Sequence, residues 1–127
     1  MDAHAARVDL AAAYRLCDRL GLNEGICNHL TAMVPGSADQ FLVIPYGLGW
    51  AEVTPERLLR VSSSGEILEG DGEVETTAFE IHKAIHLSDP VGRAAVFHTH
   101  QPHATALCCT ATGFEGALRM CHQNSLR

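Results

Sequence analysis

Lysine is almost missing from this chain: 127 residues hold one, Lys83, and Lys and Arg together number 9 against 15 Asp and Glu, a formal charge of −6. With no basic stripe to offer, the sequence excludes the usual electrostatic footprint for nucleic acid or an anionic lipid surface. Also missing is any apolar run near the ~20 residues that a membrane-spanning helix requires. Met1-Asp2-Ala3-His4 lacks the basic start and apolar stretch of a secretory leader. There is no C-x-x-C, no internal repeat and no low-complexity tract. What remains is 46% hydrophobic and 19% charged, the balance of a globular domain long enough to bury a real core. A soluble, cytoplasmic location is the expectation.

Cysteine and histidine are the residues present in unusual supply. The five cysteines (Cys17, Cys27, Cys108, Cys109, Cys121) are odd in number and irregular in spacing. They read as reduced thiols, mostly small core residues. Of the eight histidines, six (His82, His86, His98, His100, His103, His122) crowd into the C-terminal part.

Asp2 can cap a helix over about residues 3–20, with Val8, Leu10, Ala13, Leu16, Cys17 and Leu20 as its expected buried stripe and Gly21 as its C-terminal cap. Gly25 to His29 is a loop. Residues 29–34 alternate as a strand, with Leu30, Ala32 and Val34 on one side. The turn at Pro35–Asp39 leads to a buried strand at Phe41–Ile44, and Pro45–Trp50 is a Gly-containing loop. Thr54-Pro55-Glu56 opens a brief helix. Leu58–Ser62 and Glu66–Leu68 form a hairpin across Ser63-Ser64-Gly65. A second long helix fits Thr76–Leu87, with Phe79, Ile81, Ala84 and Ile85 apolar, and Ser88-Asp89-Pro90 stops it. Ala94–Phe97 is a strand running into His98-Thr99-His100, and a helix restarts near Pro102. Residues 120–127 read as a chain stopped in mid-structure. Helices alternating with hairpins predict helices packed on a mixed, mostly antiparallel sheet.

Side chains at i and i+2 of a strand share a face, so His98 and His100 present two imidazoles side by side, with Thr99 pointing away. The spacing suits two ligands of one Zn²⁺; taken alone, it equally suits two polar residues at a strand end. Three other His-x-His chemistries fail on the flanking residues. A binuclear hydrolase wants an acid where Pro102 stands, a cupin wants a carboxylate that Gln101–Thr112 does not contain, and an amidohydrolase barrel needs about 250 residues. His82 and His86 share a helix face, but an H-E-x-x-H site needs Glu where Lys83 stands. They read as a pair facing solvent or packing on the sheet. His103, His29 and His4 read as ordinary hydrogen-bonding or surface residues.

Five segments occur in register: Gly25-Ile26-Cys27-Asn28-His29-Leu30, Pro45-Tyr46-Gly47-Leu48-Gly49-Trp50-Ala51-Glu52-Val53-Thr54, Gly65-Glu66-Ile67-Leu68-Glu69-Gly70, Phe79-Glu80-Ile81-His82 and His98-Thr99-His100. Together they resemble the class II aldolase/adducin N-terminal domain family, typified by fuculose-phosphate aldolases and ribulose-phosphate epimerases. Family members are markedly longer, so the resemblance implies that residues 1–127 are a C-terminally truncated, partial domain. It implies an α/β fold with three α/β/α layers and a mixed, largely antiparallel sheet. It further implies a zinc or other divalent ion held by three histidines, of which His98 and His100 match two and the third lies beyond residue 127. In such enzymes the metal stabilises the enediolate formed when a C–C bond of a sugar phosphate or small hydroxy-carbonyl breaks. Asn28, Gly47 and the hydroxyl pair Thr76-Thr77 match the family's phosphate-binding positions, where a helix N-terminus suits an anion.

The family's aldolases carry an acid–base Glu directly after the hydroxyl pair, and here that position is Ala78, so no catalytic residue is assigned. Glu75 and Glu80 are near but out of register. The resemblance therefore implies either a zinc-dependent lyase or epimerase-like enzyme, tetrameric with small-molecule substrates, or a non-catalytic adducin-like domain associated with the actin cytoskeleton.

Overall fold

A computed structural model describes residues 2–110. Helix α1 spans Ala3–Arg19, and the Asp2 carboxylate accepts from the Ala5 N–H at 2.8 Å. It ends as expected. Gly21 adopts φ 66°, its N–H reaches the Asp18 carbonyl and the Leu22 N–H reaches the Cys17 carbonyl. This paired closure satisfies two carbonyls that the helix leaves free and requires a left-handed residue between them.

Five strands follow: β1 (Leu30–Met33), β2 (Gln40–Val43), β3 (Leu59–Ser62), β4 (Ile67–Glu69) and β5 (Ala95–Phe97). Helix α2 (Thr76–Ser88) joins β4 to β5, and α3 (Pro102–Cys108) comes after β5. Short 3-10 turns occupy Trp50–Glu52 and Pro55–Arg57, the second with Pro55 at its start as expected. The sheet order is β4-β3-β2-β1-β5, and every described pairing is antiparallel.

Both faces of the sheet are covered, giving helix, sheet and helix layers. Leu30, Leu42 and Ile44 point to the α1 side, where Leu10, Tyr14 and Trp50 complete one core. Phe41, Val43, Leu59 and Val61 point to the other side and pack with Phe79 of α2. Aromatic edges lock each layer, Tyr14 on Trp50 at 4.8 Å and Phe41 on Phe79 at 5.7 Å between ring centroids, arrangements favoured by ring quadrupoles.

The buried stripe of α1 differs from the apolar expectation. Its inward residues are Ala6, Arg7, Leu10, Ala11, Tyr14 and Cys17, whereas Val8, Leu16 and Leu20 are exposed. Two polar side chains with work to do set this rotation. The Arg7 guanidinium donates to the carbonyls of Pro55 and Leu58 and meets Glu69 at 2.9 Å. The Tyr14 hydroxyl accepts from the Leu30 N–H at 2.9 Å and donates to the Leu30 carbonyl. Burial pushes that phenol well above its ordinary pKa, so it stays a donor.

The expectation for cysteine also needs correction. Cys17 is buried, but Cys27, Cys108 and Cys109 are exposed and all four are free thiols. Cys27 lies on a surface loop, Cys108 ends α3 and Cys109 follows it directly; α3 packs few side chains among the described residues. Cys121 and His122 fall outside the described residues.

Candidate functional site

The sheet's β5 edge delivers the His-x-His pair. The β1–β5 register pairs Leu30 with Phe97, and one step further the His98 N–H donates to the His29 carbonyl at 2.9 Å. The His100 N–H donates to the Leu22 carbonyl at 2.8 Å. Both histidines therefore hang from the loop joining α1 to β1. Their Nε2 atoms stand 3.2 Å apart. Two nitrogens on one tetrahedral zinc, each at ~2.0–2.1 Å, would be about 3.3–3.4 Å apart, so the spacing fits two ligands of a single ion. Among the described residues no cluster of three His, Cys, Asp or Glu forms. Burial of its ring and then the neighbouring His100 imidazole lower the His98 pKa, which favours the neutral form that a metal needs.

His100 has a partner that sequence reasoning missed. Its Nδ1 lies 2.7 Å from Oε2 of Glu24. A carboxylate only accepts, so Nδ1 carries the proton. Glu24 lies 76 residues away in an exposed loop, where neither spacing nor periodicity marks it.

Behind this pair lies a buried histidine network. His82 and His86 were expected to face solvent or pack on the sheet; they pack on it and take the inner face of α2 with Phe79. Ile81 and Ile85, expected as apolar core positions, are exposed instead. Thr31 of β1 explains the exchange, because its hydroxyl lies 2.8 Å from both His82 Nδ1 and His86 Nε2. Donor accounting fixes the protons. The Arg93 carbonyl, 2.5 Å from His86 Nδ1, can only accept, so His86 donates from Nδ1 and keeps a lone pair on Nε2. Thr31 donates to that lone pair and accepts from the Nδ1–H of His82, leaving His82 Nε2 unprotonated. Burial, with smaller repulsions from neighbouring histidines, lowers the His82 pKa to about 4, and burial also lowers that of His86. Both are neutral at physiological pH.

His29 lies between the network and the ligand pair. Its ring centroid is 6.3 Å from that of His82, and its Nδ1 is buried without a hydrogen-bond partner. Burial lowers its pKa, opposed by the Glu75 carboxylate and aided by His98. His29 and Glu75 together line a cleft with Asn28, Tyr46 and Gly47. They also line a neighbouring one with Thr31, Ala78 and Phe79.

Two of the four matched binding residues thus meet. Gly47, at φ 83°, turns the chain beside Asn28. The Asn28 side chain is fully buried and already committed, accepting from the Glu24 N–H and donating to the Leu22 carbonyl, each at 3.0 Å. Thr76 and Thr77 are exposed at the start of α2 and line neither cleft. Thr76 is not the helix cap: the Glu75 carboxylate accepts from the N–H groups of Thr77 and Ala78 at 3.2 and 2.5 Å. These bonds hold the Glu75 pKa down. The chain's own anion therefore occupies the helix N-terminus. A groove of about 690 Å³ between α1, the β1 end and β5 has Asp9 as the sole ionisable residue of its lining among the described residues, and these offer no ligand or acid–base set.

This fold recurs in known proteins. The model of the Class II Aldolase and Adducin N-terminal domain matches residues 8–127. An adducin-related protein of Schizosaccharomyces pombe is 38% identical over 127 residues, covering 94% of this chain and 39% of that protein. Among solved structures, an aldolase II superfamily protein from Pseudomonas syringae superposes with a TM-score of 0.81 at 32% identity, covering 88% of this chain and 46% of that one. An L-fuculose 1-phosphate aldolase from Glaciozyma antarctica does so with a TM-score of 0.77 at 28% identity, covering 83% and 43%. The chain spans less than half the length of each of these relatives. With the match running over nearly all its residues and the helix-sheet-helix layers in agreement, the chain belongs to the class II aldolase and adducin N-terminal domain family.

Proposed function

We propose that this chain carries part of the active site of a metal-dependent aldolase- or epimerase-like enzyme. In this reading His98 and His100 are two ligands of a zinc or similar divalent ion, and a third ligand comes from outside the described residues. The 3.2 Å approach of the two Nε2 atoms is the observation that carries it. A divalent ion held there supplies Lewis-acid polarisation of a substrate carbonyl.

The chain's own residues bias the substrate. By resemblance Asn28, Gly47, Thr76 and Thr77 match phosphate-binding positions of the family, yet the Glu75 carboxylate takes the amides of Thr77 and Ala78. A phosphate dianion would have to displace that carboxylate and meet its charge. A small hydroxy-carbonyl compound without a phosphate is therefore the favoured substrate class. Ala78 supplies no proton, so proton transfer falls to another group within hydrogen-bond reach of the substrate. The enzyme would be a cytoplasmic homo-oligomer, a tetramer if it assembles as the family's aldolases do.

Metal analysis of the full chain tests the reading. One divalent ion per chain is expected, lost in H98A and in H100A with the fold retained. A wild-type protein without stoichiometric metal refutes it. The second reading, an adducin-like domain associated with actin, is favoured by Ala78 and by the adducin-related yeast relative. Co-sedimentation with filamentous actin, without metal or turnover, would establish it.

A further inference from the structure

The loop joining α1 to β1 touches His100 at both its backbone and its ring. The Leu22 carbonyl accepts from the His100 N–H at 2.8 Å, and Glu24 Oε2 lies 2.7 Å from His100 Nδ1. The buried Asn28 amide grips these same two residues, donating to the Leu22 carbonyl and accepting from the Glu24 N–H. Asn28, matched by resemblance to a phosphate contact, spends both ends of its side chain on the segment that presents the two partners of His100.

We propose that Glu24, aimed by Asn28, is the positioning residue of the metal centre, fixing His100 as the Nδ1–H tautomer with its Nε2 lone pair toward the ion. The inference rests on the reading of His98 and His100 as ligands. Four bonds carry it. An imidazole offers a metal only an unprotonated nitrogen, and the hydrogen bond made by the other nitrogen decides which one that is. His98 cannot supply this lock for its neighbour, because the contact between the two rings joins the Nε2 atoms themselves, and both of these must present lone pairs when an ion enters. Glu24 approaches from the opposite side of the His100 ring and competes with neither. Its charge also compensates part of the charge the ion brings.

The test uses Zn²⁺ and Co²⁺ as probes on the full chain, with dissociation constants from chelator competition for wild type, E24Q and E24A. Glu24 is exposed, with a side chain 72% accessible, so both variants are expected to fold, as checked by unfolding midpoint. Losing a carboxylate behind a ligating histidine typically weakens metal binding 10–100-fold; E24A is expected in that range, with E24Q, which keeps an acceptor oxygen, between it and wild type. The second readout is the ¹⁵N signature of His100 in metal-free protein: Nδ1–H in wild type, shifting to a tautomer mixture in E24A. A wild type that binds and an E24A that binds within twofold of it overturn this proposal alone. Weakened binding with an unchanged His100 tautomer overturns it too, since the loss would then come from the loop. A wild type that binds no metal overturns the ligand reading and this inference with it.

Discussion

Replacing Thr31 with valine keeps the shape of the side chain and removes the one hydroxyl that joins His82 to His86. Thr31, His82 and His86 are 4%, 3% and 0% exposed, so water cannot take over either 2.8 Å contact. The substitution strands the His82 Nδ1–H as a donor and His86 Nε2 as an acceptor, and each orphaned buried group costs about 1–3 kcal/mol. The added methyl returns up to ~0.8 kcal/mol of apolar burial. The net expectation is a loss of about 1–5 kcal/mol, set against the 5–15 kcal/mol that typically holds a domain folded. T31S retains the hydroxyl and gives up one methyl, a cost of about 1 kcal/mol. Urea unfolding reads both, with an unchanged denaturant slope showing that the exposed surface is the same. T31V within about 0.5 kcal/mol of wild type, a margin typical of surface substitutions, would refute the donor accounting, as would a T31S variant as unstable as T31V.

The same network sets the response to acid. His82 titrates near 4 in the folded protein against an ordinary 6.5, so between those values the unfolded chain binds a proton that the native state refuses. Stability is full above pH 6.5 and falls toward pH 4 by up to about 1.4 kcal/mol per unit for this residue, with His29 and His86 shifted in the same direction. Urea titrations across that range check it; flat stability would contradict a neutral buried pair. Y14F removes the hydroxyl that bridges the Leu30 N–H and carbonyl. A loss of about 2 kcal/mol is expected, with faster amide exchange at Leu30, one register step from His98.

Much of the fold was legible because local chemistry and tertiary packing agree. Asp2 and Gly21 bracket α1, the alternation of Leu30, Ala32 and Val34 faces the α1 core, and the Ser63-Ser64-Gly65 turn joins β3 to β4. Where side-chain hydrophobicity was the guide to orientation, it misled. Tyr14 and Arg7 rotate α1 inward because their polar ends find carbonyls, and His82 and His86 displace Ile81 and Ile85 because Thr31 waits opposite them. A periodicity count carries no signal for such burial: for His82 and His86 it leaves solvent or sheet open, since the partner that makes their burial tolerable lies 51 and 55 residues away. The His98 and His100 pair was visible as a strand-end spacing. Glu24 and the self-capping Glu75 were not, since a loop acid or an acid before a helix carries no pattern until the chain closes on it.

The hydrogen bonds from His98 to the His29 carbonyl and from His100 to the Leu22 carbonyl also decide where this chain can change length. The stretch from Leu22 to His29 works as a ruler: adding or deleting a residue within it would shift one histidine's anchor relative to the other and alter the gap between the two imidazoles. The Pro35–Asp39 turn at the far end of β1 touches neither histidine, so insertions there would leave the pair undisturbed. Within one short stretch of sequence, the fold thus separates a segment of fixed length from one free to vary.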